Sequence, residues 1–348
     1  MFDVITIGSA TRDVFLASKA WETHPSDHSP TGLEQCLPLG AKVSVDDIHF
    51  TTGGGATNAA VTFRRLGRQA TATICRIGGK DAGGRTVLED LQRERVDTRF
   101  VQRDPKLHTG YSIILLSGSG ERTILSYRGA SQMLDAKRVP WEKLRARWYY
   151  LTAIGGDLAL VQRILAHATR SGAKVAWNPG GGEIAHGWKT VAPLAVQTTL
   201  FNVNREEAAQ LTGKPIEDLN GILAMLRPIR ASRAPSSRFH AARVVLVTDG
   251  SGGAYAMTND ATRHIASRNL NAVNTTGAGD AFGSAFVVGL DQAASQQLQA
   301  TSPIDVALRV AVANAEGVIT HMGAKAGILA RIPSRATLAK YRVRELTT

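Results

Sequence analysis

Asn274-Thr275-Thr276-Gly277-Ala278-Gly279-Asp280-Ala281-Phe282 starts polar and glycine-rich and then turns apolar. Ala285, Phe286, Val287, Val288 and Leu290 follow, so the segment beyond Gly279 reads as a buried helix. Gly277-Ala278-Gly279 then forms the mouth of that helix, where free backbone N–H groups and the dipole attract an anion. Without Cβ atoms the glycines let the backbone approach a ligand closely. Asp280 lies in the first turn. A carboxylate there complements the dipole; beside an anion nest it can also take a proton from a hydroxyl attacking a phosphate.

A second glycine-rich stretch lies over two hundred positions upstream: Thr52-Gly53-Gly54-Gly55-Ala56-Thr57-Asn58-Ala59-Ala60, continuing to Arg65-Leu66-Gly67. The two stretches, in this order, resemble the N-terminal and C-terminal signatures of the ribokinase-like (PfkB-type) carbohydrate kinases. The resemblance spans nearly the whole chain. It implies an α/β fold, a three-layer α/β/α sandwich with a mostly parallel central sheet and a small β-sheet lid. Residues 1–348 would form one kinase domain, with the lid contributed by about 14–52 and 100–128.

The implied activity is ATP- and Mg²⁺-dependent phosphorylation of a sugar hydroxyl. Asp280 would be the general base, and the amides of Gly277, Ala278 and Gly279 the anion hole. Asp13, Gly53, Gly54 and Asn58 map to the sugar site. Asn204 and Glu207, from Asn204-Arg205-Glu206-Glu207, would support Mg²⁺ through water and the phosphates. Thr248, Gly250 and Gly253 would pass the phosphates and ribose of ATP, with Asn314 against adenine. Related kinases often pair two subunits through the lid, which makes a homodimer one implied assembly.

The bulk properties agree with a large α/β enzyme. At 348 residues and 43% hydrophobic, the chain can bury a sizeable core. No apolar run reaches the roughly 18–20 residues of a membrane span. The start, Met1-Phe2-Asp3-Val4-Ile5, lacks a basic n-region and reads as a first strand. Cys36 and Cys75 alone imply no disulfide framework, and a reducing cytoplasm fits. The net charge of +12 is spread along the chain without a basic stripe, densest in the Arg-rich segment at 227–243. This reads as a solvated surface, and a nucleic-acid partner is not expected.

Strand-like runs alternate with helix-length segments, the pattern of parallel strands with crossover helices. Strands are expected at 2–8, 42–50, 71–77, 147–152, 174–178, 199–204 and 244–247, with a hairpin over 109–127. Helices are expected at 57–66, 81–95, 157–171, 205–211 and 304–319, with a closing helix at 338–346. Pro and Gly break every candidate element in 18–42, which reads as a long flap. Residues 227–242, rich in Arg, Ser and Pro, read as an exposed insertion.

Plainer readings stand beside these. Asn204 with Glu207 three residues later fits an ordinary capping box equally well. Asp13 could occupy a surface turn, and Asn58 a helix cap. The chain also departs from the family pattern. Asn274 replaces the usual Asp near the loop that holds a monovalent cation in ribokinases; a backbone carbonyl could still serve, so K⁺ stays open. Gly55 stands where ribokinases typically carry Lys, which weakens ribose as the substrate. The alternatives to a sugar kinase are a nucleoside kinase of the same family and a non-catalytic sugar or nucleotide sensor.

Overall fold

The computed structural model describes residues 1–28, 32–116, 122–231, 244–268, 270–295 and 302–346. The strands are β1 (Phe2–Ile7), β2 (Thr11–Ala17), β3 (Glu22–Pro25), β4 (Leu33–Cys36), β5 (Asp47–Gly53) and β6 (Thr71–Ile74). Then come β7 (Arg76–Gly78), β8 (Gln102–Asp104), β9 (Gly110–Leu116), β10 (Arg122–Tyr127), β11 (Ala146–Leu151) and β12 (Lys174–Trp177). The last are β13 (Leu200–Asn204), β14 (Val244–Thr248), β15 (Ala254–Met257), β16 (Thr262–Ile265) and β17 (Val343–Leu346).

The helices begin with α1 (Gly55–Arg65), α2 (Ala82–Arg93), α3 (Leu158–Ser171), α4 (Gly181–Ile184) and α5 (Trp188–Ala195). They continue with α6 (Arg205–Thr212), α7 (Leu219–Ala231), α8 (Ala278–Ser295), α9 (Pro303–Ile319) and α10 (Arg335–Leu338).

Nine strands form the central sheet in the order β17-β16-β15-β14-β13-β12-β11-β1-β6. From β6 to β14 neighbouring strands run parallel, and β15, β16 and β17 are added antiparallel. Both faces of a parallel sheet are covered, so its strands read as continuous apolar runs. Alternation then divides each strand between two cores. Tyr149, Leu151, Val245 and Val247 pack under α3, α5, α6 and α7. Trp148, Tyr150, Val244 and Leu246 pack under α1, α8 and α9. The helices connecting parallel strands leave their loops at the strands' C-terminal ends, where open α/β sheets bind ligands.

A separate four-stranded sheet, β10-β9-β2-β5, stands beside this body. Ile48, Phe50, Ile124 and Leu125 on this sheet are exposed.

Three expectations need correction. The 338–346 segment is not a helix: α10 stops at Leu338, and β17 pairs antiparallel with β16, held also by an Arg263–Glu345 ion pair of 2.9 Å. Tertiary pairing overrides the local propensity there. Residues 18–42 contain structure after all, since β3 and β4 pair antiparallel with Pro25 at the edge opposite Leu33. Proline is tolerated in a two-stranded ribbon because its missing N–H can face solvent. The strand expected at 42–50 runs instead over Asp47–Gly53, set by its pairing with β2. The hairpin turn at Ser117–Gly120 and residues 232–242 of the expected insertion lie outside the described residues, while 227–231 belong to the end of α7.

Candidate active site

Asp280 is the third residue of α8, and Asn58 of α1 reaches it: Asn58 Nδ2 donates to Asp280 Oδ2 at 2.9 Å. Burial raises the Asp280 carboxyl above the usual range, against the Asn58 hydrogen bond and the positive charge of Lys325, which both lower it. A carboxyl poised upward in this way suits a general base better than an exposed aspartate does. Gly277, just before the helix, has a φ of +80°, and a Cβ there would lie 2.5 Å from Ala324 Cβ. Only glycine relieves both constraints, so the turn that presents the first helical N–H groups depends on it.

Asp13 sits on β2 of the small sheet, only 4% exposed. It is no surface turn. Burial raises its carboxyl, while hydrogen bonds from the Thr11 and Ser112 hydroxyls and the charges of Lys325 and Arg12 lower it. A Cβ on Gly53 would fall 2.0 Å from Asp13 Oδ2, so the glycine stretch and the carboxylate share one space. Asp13 Oδ1 and Asn58 Oδ1 are buried without a hydrogen-bond partner among the described residues. Buried acceptors normally find donors. These two point to a ligand with hydroxyl groups.

A cavity of about 890 Å³ opens over the N-terminus of α8. Ala278 and Gly279 line it together with Asn204, Thr248, Gly250 and Gly253, all singled out from the sequence. Asn314 does not. Its side chain is fully buried, donating to Ala281 O at 3.0 Å and accepting from Leu329 N at 3.0 Å. It ties α9 to α8 from the inside. The α9 residues that face the cavity are Val312, Ala315, Glu316 and Ile319, on the adjoining stripe of the helix.

Asn204 and Glu207 form the capping box in full. Asn204 Oδ1 accepts from Glu207 N at 2.7 Å, and Glu207 Oε2 accepts from Asn204 N at 2.9 Å. The plain reading of this pair is thus realised. Burial, and then the charges of Asp280, Glu206 and Glu183, push Glu207 up to about 7 against the Asn204 hydrogen bond. Asn274 is buried and uses Oδ1 to accept from Thr276 N at 2.6 Å, so its side chain closes its own loop.

Sequence reading missed two contacts. Arg122 on β10 donates to Thr275 Oγ1, tying the small sheet to the loop ahead of α8. Lys325, in the loop after α9, is 8% exposed and reaches Thr52 and Asp90. Neither belongs to a periodic pattern; only the folded chain shows their partners.

The sequence matches the pfkB family carbohydrate kinases over residues 30–331. Ribokinase of Mus musculus is 28% identical over 240 residues, covering 66% of this chain and 68% of that protein. Ribokinase of Staphylococcus aureus is 26% identical over 300 residues, covering 83% and 86%. The structure of Arabidopsis thaliana ribokinase complexed with ribose and ATP superposes with a TM-score of 0.71 at 21% identity, covering 97% of this chain and 98% of that one. At that identity the likeness shows the fold. Among the described residues no helix is long and apolar enough to cross a membrane. The chain belongs to the pfkB family of carbohydrate kinases, phosphotransferases that use an alcohol group as acceptor.

Proposed function

We propose that this kinase transfers the γ-phosphoryl group of ATP, with Mg²⁺, to a hydroxyl of a small sugar, with Asp280 as general base. The observation that carries the reading is the Asn58 side chain, which donates to Asp280 while its own Oδ1, like Asp13 Oδ1, is buried without a partner. An unpaired buried acceptor costs about 1–3 kcal/mol. Neighbouring sugar hydroxyls would supply donors to both oxygens and so orient the acceptor. Gly53 and Gly54 leave room for the ring.

Asp280 would then accept the proton of the attacking hydroxyl. The Gly277, Ala278 and Gly279 amides would face charge growing on the transferred group, in a site prepared before the reaction starts. The nucleotide would lie in the cavity lined by Asn204, Thr248, Gly250 and Gly253. Among the described residues no cluster of three or more His, Cys, Asp or Glu could grip a metal directly. A hydrated Mg²⁺ would be held by Asn204 and Glu207 through water and would neutralise phosphate charge. A monovalent cation such as K⁺ near Asn274 would rely on backbone carbonyls, since the side-chain oxygen is taken. The small sheet would serve as the lid, with its exposed Phe50, Ile124 and Leu125 suited to a second copy in a homodimer.

Release of ADP with ribose, fructose, 2-keto-3-deoxygluconate, inosine, adenosine and cytidine tests the reading. Turnover of a sugar supports it. Turnover of nucleosides alone replaces it with a nucleoside kinase, and failure with every sugar and nucleoside overturns it.

Glu207 adds a pH dependence. A carboxyl that holds its proton more tightly when folded stabilises the fold at low pH. That contribution is complete below the ordinary carboxylate range and is lost as pH rises through about 7. Metal-free protein should therefore melt at a higher temperature near pH ~5 than near pH ~7.5. Glu207→Gln should shrink the difference, measured by thermal unfolding across that range. An unchanged difference in the variant would show that Glu207 is not the group responsible.

A further inference from the structure

Lys325 is a buried ammonium in a loop that touches both halves of the site. Its Nζ donates to Thr52 Oγ1 at 2.7 Å and to Asp90 Oδ2 at 3.0 Å, and the Thr52 hydroxyl in turn donates to Asp90. These three groups close a ring joining β5, α2 and the loop after α9. The backbone is fixed as well: Arg65 Nη1 donates to Lys325 O at 3.1 Å and to Ile328 O at 2.9 Å, and Arg65 itself pairs with Glu94.

The loop is also wedged. Next to Lys325, Ala324 occupies the space a Cβ on Gly277 would need, and a Cβ on Gly323 would lie 2.8 Å from Thr51 Cγ2. Thr52 immediately precedes Gly53, which abuts Asp13. One short loop thus presses on the sugar-side strand and on the turn that presents the anion-binding amides.

We propose that Lys325 is a positioning residue: a built-in counter-cation, anchored on Thr52 and Asp90, that supplies the positive charge shared by Asp13 and Asp280. The proposal rests on the reading of Asp280 as the base. A desolvated carboxylate without a cation nearby would stay protonated and could not accept a proton. Asp280 accepts from Asn58 of α1 and interacts electrostatically with Tyr150 of β11, Glu207 of α6 and Lys325. Tyr150 is neutral, its hydroxyl pushed far up by burial, and Glu207 is acidic. Lys325 is therefore the cation in this set. Asp13 faces Lys325 and Arg12. The ammonium also acts on Cys75 and on the partly buried Asp90, which Lys325, the Thr52 hydroxyl and Arg93 hold below the usual range.

The test reads the carboxyl groups directly. Metal- and nucleotide-free protein carrying ¹³C-labelled aspartate is titrated by NMR, with Asp280→Asn and Asp13→Asn identifying the two resonances. In Lys325→Met both titrations should move up by about one pH unit, the low end of what losing an opposite charge does to a carboxyl. Lys325→Arg, which keeps the charge, should hold them in place. Asp90→Asn keeps the ammonium and an acceptor oxygen for it, and should not raise either titration.

If Lys325→Met does not fold because the partly buried Asp90 carboxylate keeps only Arg93 as its counter-charge, the Lys325→Met/Asp90→Asn double variant removes both charges and is read instead. A folded variant lacking Lys325 whose two aspartates titrate as before overturns the proposal. So does an Asp90→Asn variant that shifts them equally, because Lys325 would then be only a structural clasp. A full loss of activity in Asp280→Asn is a separate measurement, so the assignment of the base and the role of Lys325 fail independently.

Discussion

Asp280→Asn is expected to cut kcat by about 10²–10⁴-fold while leaving the KM for ATP within a few-fold of the parent. The substitution keeps the shape and an acceptor oxygen for Asn58 Nδ2, so the 2.9 Å contact survives. It removes only the capacity to accept a proton. It also removes a carboxylate whose burial opposes ionisation, so the variant should unfold no earlier than the parent at neutral pH. In the parent, activity should fall as pH drops through the raised Asp280 value, because the protonated acid cannot act as base. Steady-state kinetics with thermal unfolding check all three. Near-parental turnover in a folded variant would sink the assignment.

Gly277→Ala should be nearly as damaging by a different route. The added Cβ would meet Ala324 Cβ at 2.5 Å, and a φ of +80° disfavours any residue with a side chain. The conformational cost alone is about 1–2 kcal/mol. Relief requires the turn to rotate or the 323–325 loop to withdraw. Either move displaces the amides ahead of Asp280, and losing one such donor typically lowers kcat about 10²–10³-fold. The KM for the sugar should change far less. A variant with a parental kcat would show that these amides do not face the transferring group.

The helix mouth at 277–280 is legible because glycine and burial patterns are local, whereas Asp13, Asn58 and the nucleotide-side residues come only with the family resemblance. A polar, glycine-rich entry followed by an apolar helix has few other uses, and the 277–280 turn sits where that pattern puts it. The apolar runs of β11 and β14 announce strands covered on both faces. The failures have physical causes too. The resemblance sets Asn314 against adenine, but a shift around the helix decides whether a side chain meets the cavity or the core. Val343–Leu346 is too short to declare itself as a strand before β16 offers its edge. Lys325 looks like any surface lysine until Asp90 and Thr52, from two distant segments, arrive beside it.

The pairing of β17 with β16 also bears on how the protein is made. Arg263 and Glu345, which meet across that pair, stand 82 positions apart in the chain. At typical ribosomal speeds the interval between them is on the order of 4–16 s. Throughout that time the nascent sheet ends in a bare row of amides and carbonyls, able to recruit a neighbouring polypeptide. Slow translation or a shortage of chaperones should therefore harm yield more than the finished enzyme's stability suggests.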